Sequence, residues 1–322
     1  MTQTGGKLVT IFGGSGFIGT QLVQALARRG YRIRVAVRRP DLAGHVRMFG
    51  FPGQIHPVQA NLRFPQSVER AVDGADIVVN LVGILFERGG QRFDAVQVGG
   101  ARTVAQAAQR AGATRLVHMS AIGASETSPS AYARAKARGE KEVLKAFPQA
   151  VIVRPSLVFG AHDGFFNLFG FLARISPVLP VISGDTRIQP VYVGDVAEAL
   201  ALAVEGGAKP GTVYELGGPE IITVRQAMEA VLAETRRKRV LLPVPSGLAG
   251  ALAHITGLLP RPLLTPDQVR QLGIENVVSG PSIKAGHTLE GLGITPVSMH
   301  AILPTYLWRF RRHGEFDRHI AA

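Results

Sequence analysis

The chain has 322 residues, 46% of them hydrophobic and 18% charged, and this composition fits one large α/β unit or a main domain with a smaller attachment. The absence of cysteine excludes disulfides, thiolate metal sites and cysteine nucleophiles and is compatible with a reducing compartment, so the cytoplasm is the default location. We also expect no metal. The net charge of +13 suits an anionic membrane, an acidic protein or a phosphorylated ligand. Nucleic acid is not expected, because the arginines lack interleaved aromatic side chains.

Apolar runs alternate with stretches of helical spacing through the first half of the chain. The runs, which are bounded by turn residues, predict buried parallel strands at residues 8–12, 33–37, 77–82, 116–119 and 151–153. The stretches between them predict helices at 17–29, 66–72, 101–110 and 131–146. This alternation predicts an α/β fold, specifically a Rossmann-type, doubly wound parallel sheet.

The chain changes character beyond Pro155, where proline and phenylalanine become frequent and the clear alternation ends. We therefore predict a Rossmann domain at 1–160 and a smaller C-terminal α/β region at 161–322. A loop that enters a helix at 190–206 is expected to return to the main domain.

The first predicted strand runs into a glycine-rich loop that opens the first helix, Gly13-Gly14-Ser15-Gly16-Phe17-Ile18-Gly19. Gly13 permits a tight turn, Gly16 lets the backbone approach a pyrophosphate, and Gly19 allows the helix to pack close to the strand. The amino end of the helix favours negative charge. In this context the spacing predicts a dinucleotide site rather than a structural turn.

The end of the second predicted strand carries Arg38 and Arg39 where an acidic residue would accept hydrogen bonds from a free 2′-hydroxyl. A guanidinium matches a 2′-phosphate in charge and in the geometry of its donors. The two arginines therefore favour NADP(H) over NAD(H), the alternative being that they are solvated charges at a strand end.

Tyr132 and Lys136 lie four residues apart on a predicted helix and so share one face. At this spacing Lys136 is expected to lower the pKa of the tyrosine, so that the phenol exchanges a proton with a substrate hydroxyl or carbonyl. The pair follows the predicted strand at 116–119, which strengthens its assignment as a catalytic candidate.

Further motifs stand where such a sheet would place them: Asn80-Leu81-Val82-Gly83, Ser120, residues 132–136, Arg154-Pro155-Ser156 and Val193-Gly194-Asp195-Val196. With the glycine loop they resemble the short-chain dehydrogenase/reductase superfamily, in particular its extended and atypical members, over nearly the whole chain. The resemblance implies that Ser120, Tyr132 and Lys136 face the cofactor. It also implies that Leu81, Val82 and Gly83 pass under it and that Pro155, Ser156, Leu157 and Val158 line its nicotinamide side.

Two positions depart from that family's pattern. Active extended members carry serine or threonine where this chain has Ile122, and the loss of that donor removes a polarising contact to the reacting oxygen. The Asp-Leu pair that contacts adenine is replaced by Asn61-Leu62, whose amide oxygen can still accept a hydrogen bond. Binding is therefore expected, whereas turnover is in doubt.

A narrower resemblance is carried by residues 132–140, 147–156, 264–272 and 276–278, of which 264–272 lies outside the generic nucleotide fold. These segments resemble the NADPH-binding accessory subunits of respiratory complex I. The resemblance implies a nucleotide that stabilises the subunit, partners in the peripheral arm, and a peripheral position on the cytoplasmic side of the bacterial inner membrane. The apolar segment 241–264 fits a membrane-facing partner or lipid headgroups, or equally a core helix. The terminal stretch 306–312 fits an interface or an exposed helix.

Three hypotheses follow. The first is an accessory subunit that binds NADP(H) without turning it over. The second is an active NADP-dependent reductase, epimerase or dehydratase that uses Tyr132 and Lys136 and acts on a nucleotide sugar or an isoprenoid-like compound. The third is an NADP(H)-sensing regulator, which requires a partner whose affinity differs between the two redox states of the nucleotide.

Overall fold

The computed structural model describes residues 6–257 and 264–312 and contains one seven-stranded sheet. All strands of this sheet pair in parallel, in the order β11-β6-β5-β4-β1-β2-β3. They are β1 (Leu8–Phe12), β2 (Arg32–Val37), β3 (Ile55–Gln59), β4 (Ile77–Asn80), β5 (Arg115–Met119), β6 (Val151–Pro155) and β11 (Val213–Leu216). The central strands are buried on both faces, as parallel sheets require.

Helices connect these strands, as a parallel sheet demands. They are α1 (Phe17–Arg28), α2 (Pro65–Val72), α3 (Gly100–Arg110), α4 (Ala131–Ala146) and α6 (Val193–Glu205), with a 3₁₀ segment at Pro40–Phe49 and a π-helical turn at Asp94–Gly99. Apolar faces of α2, α3 and α4, of which that of α3 is rich in alanine, pack into one core with the strands. The predicted α/β class and doubly wound sheet are confirmed.

The chain divides into two units, the first of which holds the large sheet. It comprises the described residues up to Pro155, together with Val193–Leu216 and Ser279–Thr295. The returning stretch supplies α6 and β11, and residues from Ser279 add α10 (Gly280–Lys284) and a 3₁₀ turn at Glu290–Leu292. The backbone N–H of Glu215 donates to the carbonyl of His287, so this last stretch is bonded to the edge strand β11.

The second unit comprises Ser156–Tyr192, the described residues of Gly217–Val278, and those from Pro296 onward. Its strands pair in twos: β7 (Val158–Phe159) with β10 (Val191–Tyr192), β8 (Val178–Ile182) with β13 (Val240–Val244), and β9 (Arg187–Ile188) with β12 (Ile222–Thr223). Its helices are α5 (Phe166–Ile175), α7 (Val224–Glu234), α8 (Ser246–Gly257), α9 (Pro266–Leu272) and α11 (Met299–Leu307). Phenylalanine, leucine and methionine side chains form its main core.

The apolar segment at 241–264 forms most of β13 and then α8. Ala249 and Ala253 are fully buried and pack with Val269 of α9, so part of the segment is core. Leu242 and Leu248 are each more than half exposed. Residues 258–263 of the segment lie outside the described residues, and no helix within the described ranges is long and apolar enough to cross a membrane.

The terminal stretch at 306–312 finishes α11 and adds a 3₁₀ turn at Trp308–Phe310. Tyr306 and Leu307 are buried, and the Tyr306 hydroxyl donates to Asp163 Oδ2 at 2.6 Å. Arg311 donates to the carbonyl of Glu234 at 2.8 Å. The described part of this stretch therefore packs within the second unit rather than standing as an exposed helix.

Candidate nucleotide-binding site

The glycine loop lies between the end of β1 and the start of α1, at the carboxyl edge of the large sheet. Gly13 has φ +79° and the N–H of Gly16 donates to the Gly13 carbonyl at 3.0 Å, which closes the tight turn expected from the spacing. A Cβ on Gly19 would lie 2.3 Å from the Gly13 oxygen. Only glycine at position 19 thus allows α1 to approach the strand this closely.

The segment Leu81 to Gly83 follows β4 and lies directly beside the loop. A Cβ on Gly13 would be 3.4 Å from both the carbonyl carbon of Leu81 and the N of Val82, so the two backbones are in contact distance. All three residues of the segment are at least partly exposed. The structure therefore brings together the loop and the segment that the resemblance placed under the cofactor.

A buried polar pair fixes that segment, and its role was missing from the sequence prediction. Asn80 Oδ1 accepts the N–H of Val82 at 3.1 Å, and Asn80 Nδ2 lies 3.2 Å from His118 Nδ1. Both side chains are almost fully buried. Burial lowers the pKa of His118 to about 3, with the Lys136 charge adding to the effect, so the imidazole is neutral at physiological pH. His118 and Asn80 are therefore positioning residues.

Arg38 and Arg39 differ in what they contact. Arg39 makes a two-point ion pair with Asp41, with its Nε 3.0 Å from Oδ1 and its Nη2 2.7 Å from Oδ2. Arg38 is exposed and, among the residues described, has no carboxylate within ion-pair distance. It lines a cavity of about 270 Å³ together with Gln59, Asn61, Phe64, Ser67 and Arg70. Arg38 is thus the arginine of the pair that is available to a phosphate.

Asn61 and Leu62, both expected at the adenine, have side chains in different environments. Asn61 lines the cavity beside Arg38, and its Oδ1 already accepts the N–H of Arg63 at 3.2 Å, which leaves one lone pair for a ligand. The Leu62 side chain is buried in the core, against the backbone of Gly100. Leu62 therefore offers no side-chain surface to the cavity.

Tyr132 and Lys136 lie one turn apart on α4, whose first turn is capped by the Ser130 hydroxyl. Lys136 Nζ donates to the carbonyl of Met119 at 3.0 Å and stands 5.9 Å from the centre of the Tyr132 ring. It is 3.5 Å from the point where a Cβ on Gly83 would lie. The structure thus joins the end of β5, α4 and the segment after β4 at one edge of the sheet.

The electrostatics of this pair differ from the sequence expectation. Burial raises the pKa of Tyr132 to about 12, whereas Lys136 was expected to lower it. Burial also lowers the pKa of Lys136 to about 8, with Glu140 acting in the opposite direction. The Lys136 ammonium group donates its hydrogen bond to the carbonyl of Met119, and burial is the dominant influence on the pKa of the Tyr132 phenol.

Ser120 is a buried hydroxyl, and the side chain two residues further on is aliphatic. Its Oγ is buried and has no hydrogen-bond partner within the described residues, so it is a polar group that could bond a ligand at this edge of the sheet. Ile122, two residues on, is buried, and its N–H donates to the carbonyl of Pro155 at 3.1 Å. An aliphatic side chain thus stands at the position where the resemblance implies a second hydroxyl.

The segment after Pro155 begins the second unit. The Ser156 hydroxyl donates to the carbonyl of Asn276 at 2.8 Å, and the carbonyl of Leu157 accepts the N–H of Val191 at 2.9 Å. Val158 opens β7. Most of the segment 264–272, which the narrower resemblance singled out, forms α9. Thr265 and Gln268 cap this helix, and the chain then continues to Asn276. Asn276, which follows this helix, therefore bonds Ser156, one of the residues that the resemblance placed at the nicotinamide.

Metal binding has no evident place in the described ranges, where no group of three or more histidine, aspartate or glutamate side chains could hold an ion. The polar groups at the sheet edge are instead backbone amides, guanidinium groups, hydroxyls and amides. Such donors suit an anionic, hydroxyl-rich organic ligand.

Comparison with known proteins gives consistent results. A model of the NAD dependent epimerase/dehydratase family matches residues 9–217. NADH dehydrogenase (ubiquinone) 1 alpha subcomplex subunit 9 of Arabidopsis thaliana mitochondria is 32% identical over 97% of this chain and 80% of its own length. A ceramide reductase of Caulobacter vibrioides is 39% identical over 60% of this chain and 59% of its own. UDP-glucose 4-epimerase of Thermotoga maritima has the same fold, with a TM-score of 0.70, 17% identity, and coverage of 93% of this chain and 97% of the epimerase.

Proposed function

Because the chain belongs to the NAD dependent epimerase/dehydratase family, as its resemblance to extended short-chain dehydrogenases predicted, we propose that it binds a nicotinamide dinucleotide as an accessory subunit of respiratory complex I. The extent of the similarity carries this proposal. The family match ends at residue 217, whereas the similarity to the Arabidopsis subunit covers 97% of the chain. Sequence identity to that subunit, at 32%, therefore continues beyond the family match into the second unit, whereas the epimerase that shares the fold over 93% of the chain is only 17% identical.

The residues present fit such a nucleotide. The loop at 13–19 would hold the pyrophosphate, since Gly13 adopts φ +79°, which closes the tight turn at the start of α1. Ser120 Oγ would regain a hydrogen-bond partner. A nicotinamide ring supplies hydride transfer when a substrate is present, and the chain's own residues decide whether one can react.

We propose NADP(H) rather than NAD(H) as the nucleotide. Arg38 supports this choice, because it stands at the end of β2, lines a cavity, and has no carboxylate partner among the described residues. A carboxylate at this position would instead select a free 2′-hydroxyl. Arg39 is engaged by Asp41 and contributes less.

The nucleotide is retained and not consumed in this proposal. Ile122 gives no second hydroxyl, and Tyr132 with a pKa of about 12 is a weak proton-transfer group at neutral pH. Both features disfavour turnover while leaving the loop intact. The nucleotide then stabilises the fold by mass action, since it binds only the native state.

We further propose a peripheral position on the cytoplasmic side of the bacterial inner membrane, against peripheral-arm subunits. In the second unit Val240 and Leu242 expose more than half of their apolar side chains on β13, and Leu248 does so on α8. Arg237 and Arg239 lie just before this strand. An apolar surface with adjacent arginines suits a protein interface or anionic headgroups.

Native migration tests the proposal. In membranes solubilised with mild detergent, the protein should migrate with NADH:ubiquinone oxidoreductase activity on a native gel, and the excised band should release NADPH upon denaturation. The free chain added to membranes that lack it serves as a control for adventitious binding. Migration apart from complex I, with no nucleotide released, would contradict the assignment.

A reductase remains the second candidate, because Ser120, Tyr132 and Lys136 lie at one sheet edge and because 194 residues align with a ceramide reductase at 39% identity. On this alternative the protein reduces a carbonyl group of a ceramide-like lipid with NADPH. The Tyr132 phenol would donate the proton to the carbonyl oxygen.

The variant Tyr132→Phe separates the two functions. For an enzyme, NADPH oxidation with a carbonyl-bearing ceramide should fall about a hundredfold or more, while NADPH affinity stays unchanged. For the accessory subunit, wild type and variant should both show no turnover and equal migration with complex I. Wild-type turnover that Tyr132→Phe removes would displace the accessory role as the main function.

A further inference from the structure

We infer that Arg70, on the last turn of α2, is a second guanidinium for the 2′-phosphate of the nucleotide and helps Arg38 to select NADP(H). The inference rests on the proposed nucleotide function and assigns a residue that neither the loop motif nor the strand-end rule identifies. Arg70 lies 32 positions from Arg38 in the sequence, yet both line the same cavity of about 270 Å³.

The charge of the cavity supports this role. Of its six lining residues, Arg38 and Arg70 are cationic, and the other four are uncharged. A 2′-phosphate carries between one and two negative charges near neutral pH, so two guanidinium groups match it. A single arginine would leave part of that charge uncompensated.

Arg70 is not engaged elsewhere by an acidic group. Among the described residues it has no carboxylate within ion-pair distance, and it is exposed. Its neighbour Glu69 instead pairs with Arg110 at 2.7 Å, on another part of the surface. On α2, the carboxylate of Glu69 is therefore paired away from the cavity, whereas the guanidinium of Arg70 lines the cavity.

The floor of the cavity is fixed by local hydrogen bonds. The Ser67 hydroxyl accepts the N–H of Asn61 at 3.0 Å and lies 2.8 Å from the carbonyl of Phe64, which it can donate to. These bonds tie the end of β3 to the first turn of α2. The backbone of α2 that carries Arg70 is therefore held to the end of β3 before a ligand arrives, which reduces the ordering cost of binding.

Phe64 adds an apolar surface to the same cavity. Phe64 is 59% exposed, and the guanidinium of the preceding residue, Arg63, lies 5.8 Å from the centre of its ring. An adenine ring is flat and apolar on its faces, and it stacks well on an aromatic side chain. The cavity thus presents cations for a phosphate and an aromatic surface for a base.

Calorimetric titration of the purified full chain with 2′,5′-ADP and 5′-AMP tests the inference, because only the former carries a 2′-phosphate. Arg70→Gln should weaken binding of 2′,5′-ADP about tenfold and leave that of 5′-AMP within about twofold, since one charge-assisted contact is lost. Arg38→Gln should act in the same sense, and the double variant should lose the preference for 2′,5′-ADP. Arg47→Gln, at an exposed arginine on the 3₁₀ segment, controls for net charge.

The possible results distinguish the role of Arg70 from the choice of NADP(H) as the nucleotide. If Arg38→Gln loses the preference and Arg70→Gln matches wild type, the role of Arg70 is overturned and the NADP(H) proposal stands. If the wild-type chain binds 2′,5′-ADP no better than 5′-AMP, both the choice of NADP(H) and the role of Arg70 fail. An equal loss in Arg47→Gln would show a general charge effect and would also overturn the assignment.

Discussion

The variant Gly19→Ala is expected to have a free energy of unfolding lower by about 3 kcal/mol or more and to lose nucleotide binding. The added Cβ would lie 2.3 Å from the Gly13 oxygen, 2.6 Å from the Gly14 Cα and 2.8 Å from the Gly14 carbonyl carbon. These are backbone atoms of the loop itself, so no side chain can rotate aside. Either α1 moves away from β1 or the loop opens, and both changes displace the amides that would face the pyrophosphate.

Two other glycines provide controls for Gly19→Ala in urea unfolding and in NADPH titration. Gly44→Ala, in the 3₁₀ segment, introduces a Cβ with nothing within 4 Å and should change stability by less than about 1 kcal/mol. Gly16→Ala approaches only the Gly13 oxygen, at 3.3 Å, and should fall between the two. A Gly19→Ala chain with wild-type stability and affinity would show that the loop is not the rigid contact described.

The central strands could be predicted because they are buried on both faces. β1 and β4 are apolar apart from one polar residue each, and β5 has an apolar centre at Leu116 and Val117. The predicted and observed bounds of the three strands agree to within two residues. β3 was not placed, because His56 and Pro57 interrupt its apolar pattern at the edge of the sheet. β11 is only four residues long, and its central Tyr214 and Glu215 interrupt the apolar pattern.

The candidate site was predictable where chemistry depends on spacing along the chain. The glycine loop and Arg38 are examples, since each stands at a fixed position relative to a strand end. Arg70 and Phe64 carry no such signal, because they reach the cavity only through the packing of α2 beside β3. The pKa of Tyr132 also depends on burial, which the four-residue spacing to Lys136 does not reveal.

The variant Arg154→Met is expected to cost about 3 to 5 kcal/mol of unfolding free energy, because two buried carboxylates lose the cation that forms ion pairs with them. Arg154 on β6 places its Nε and Nη2 at 2.8 and 2.6 Å from the carboxylate of Glu140 on α4. Its Nη1 is 3.4 Å from Glu215 on β11. The side chains of the two glutamates are 7% and 9% exposed, so water replaces the lost partner poorly.

The control for Arg154→Met is an ion pair of similar geometry on the surface. Arg187 holds Glu275 through two contacts of 2.7 Å, but both side chains are more than half exposed. Arg187→Met should therefore cost less than about 1 kcal/mol in the same urea unfolding experiment. Equal costs for the two variants would mean that burial does not govern the strength of these pairs.

A compensating variant shows why the loss at position 154 would come from the carboxylates rather than from missing contacts of the arginine. Adding Glu140→Gln to Arg154→Met removes one uncompensated charge, so the double variant should be more stable than Arg154→Met alone. Glu215 also accepts the N–H of Ser279 at 2.8 Å and so ties the returning stretch 279–295 to β11. Amide exchange in that stretch should therefore accelerate in Arg154→Met and partly recover in the double variant. A double variant less stable than Arg154→Met would show instead that packing of the guanidinium, and not its charge, holds β6, α4 and β11 together.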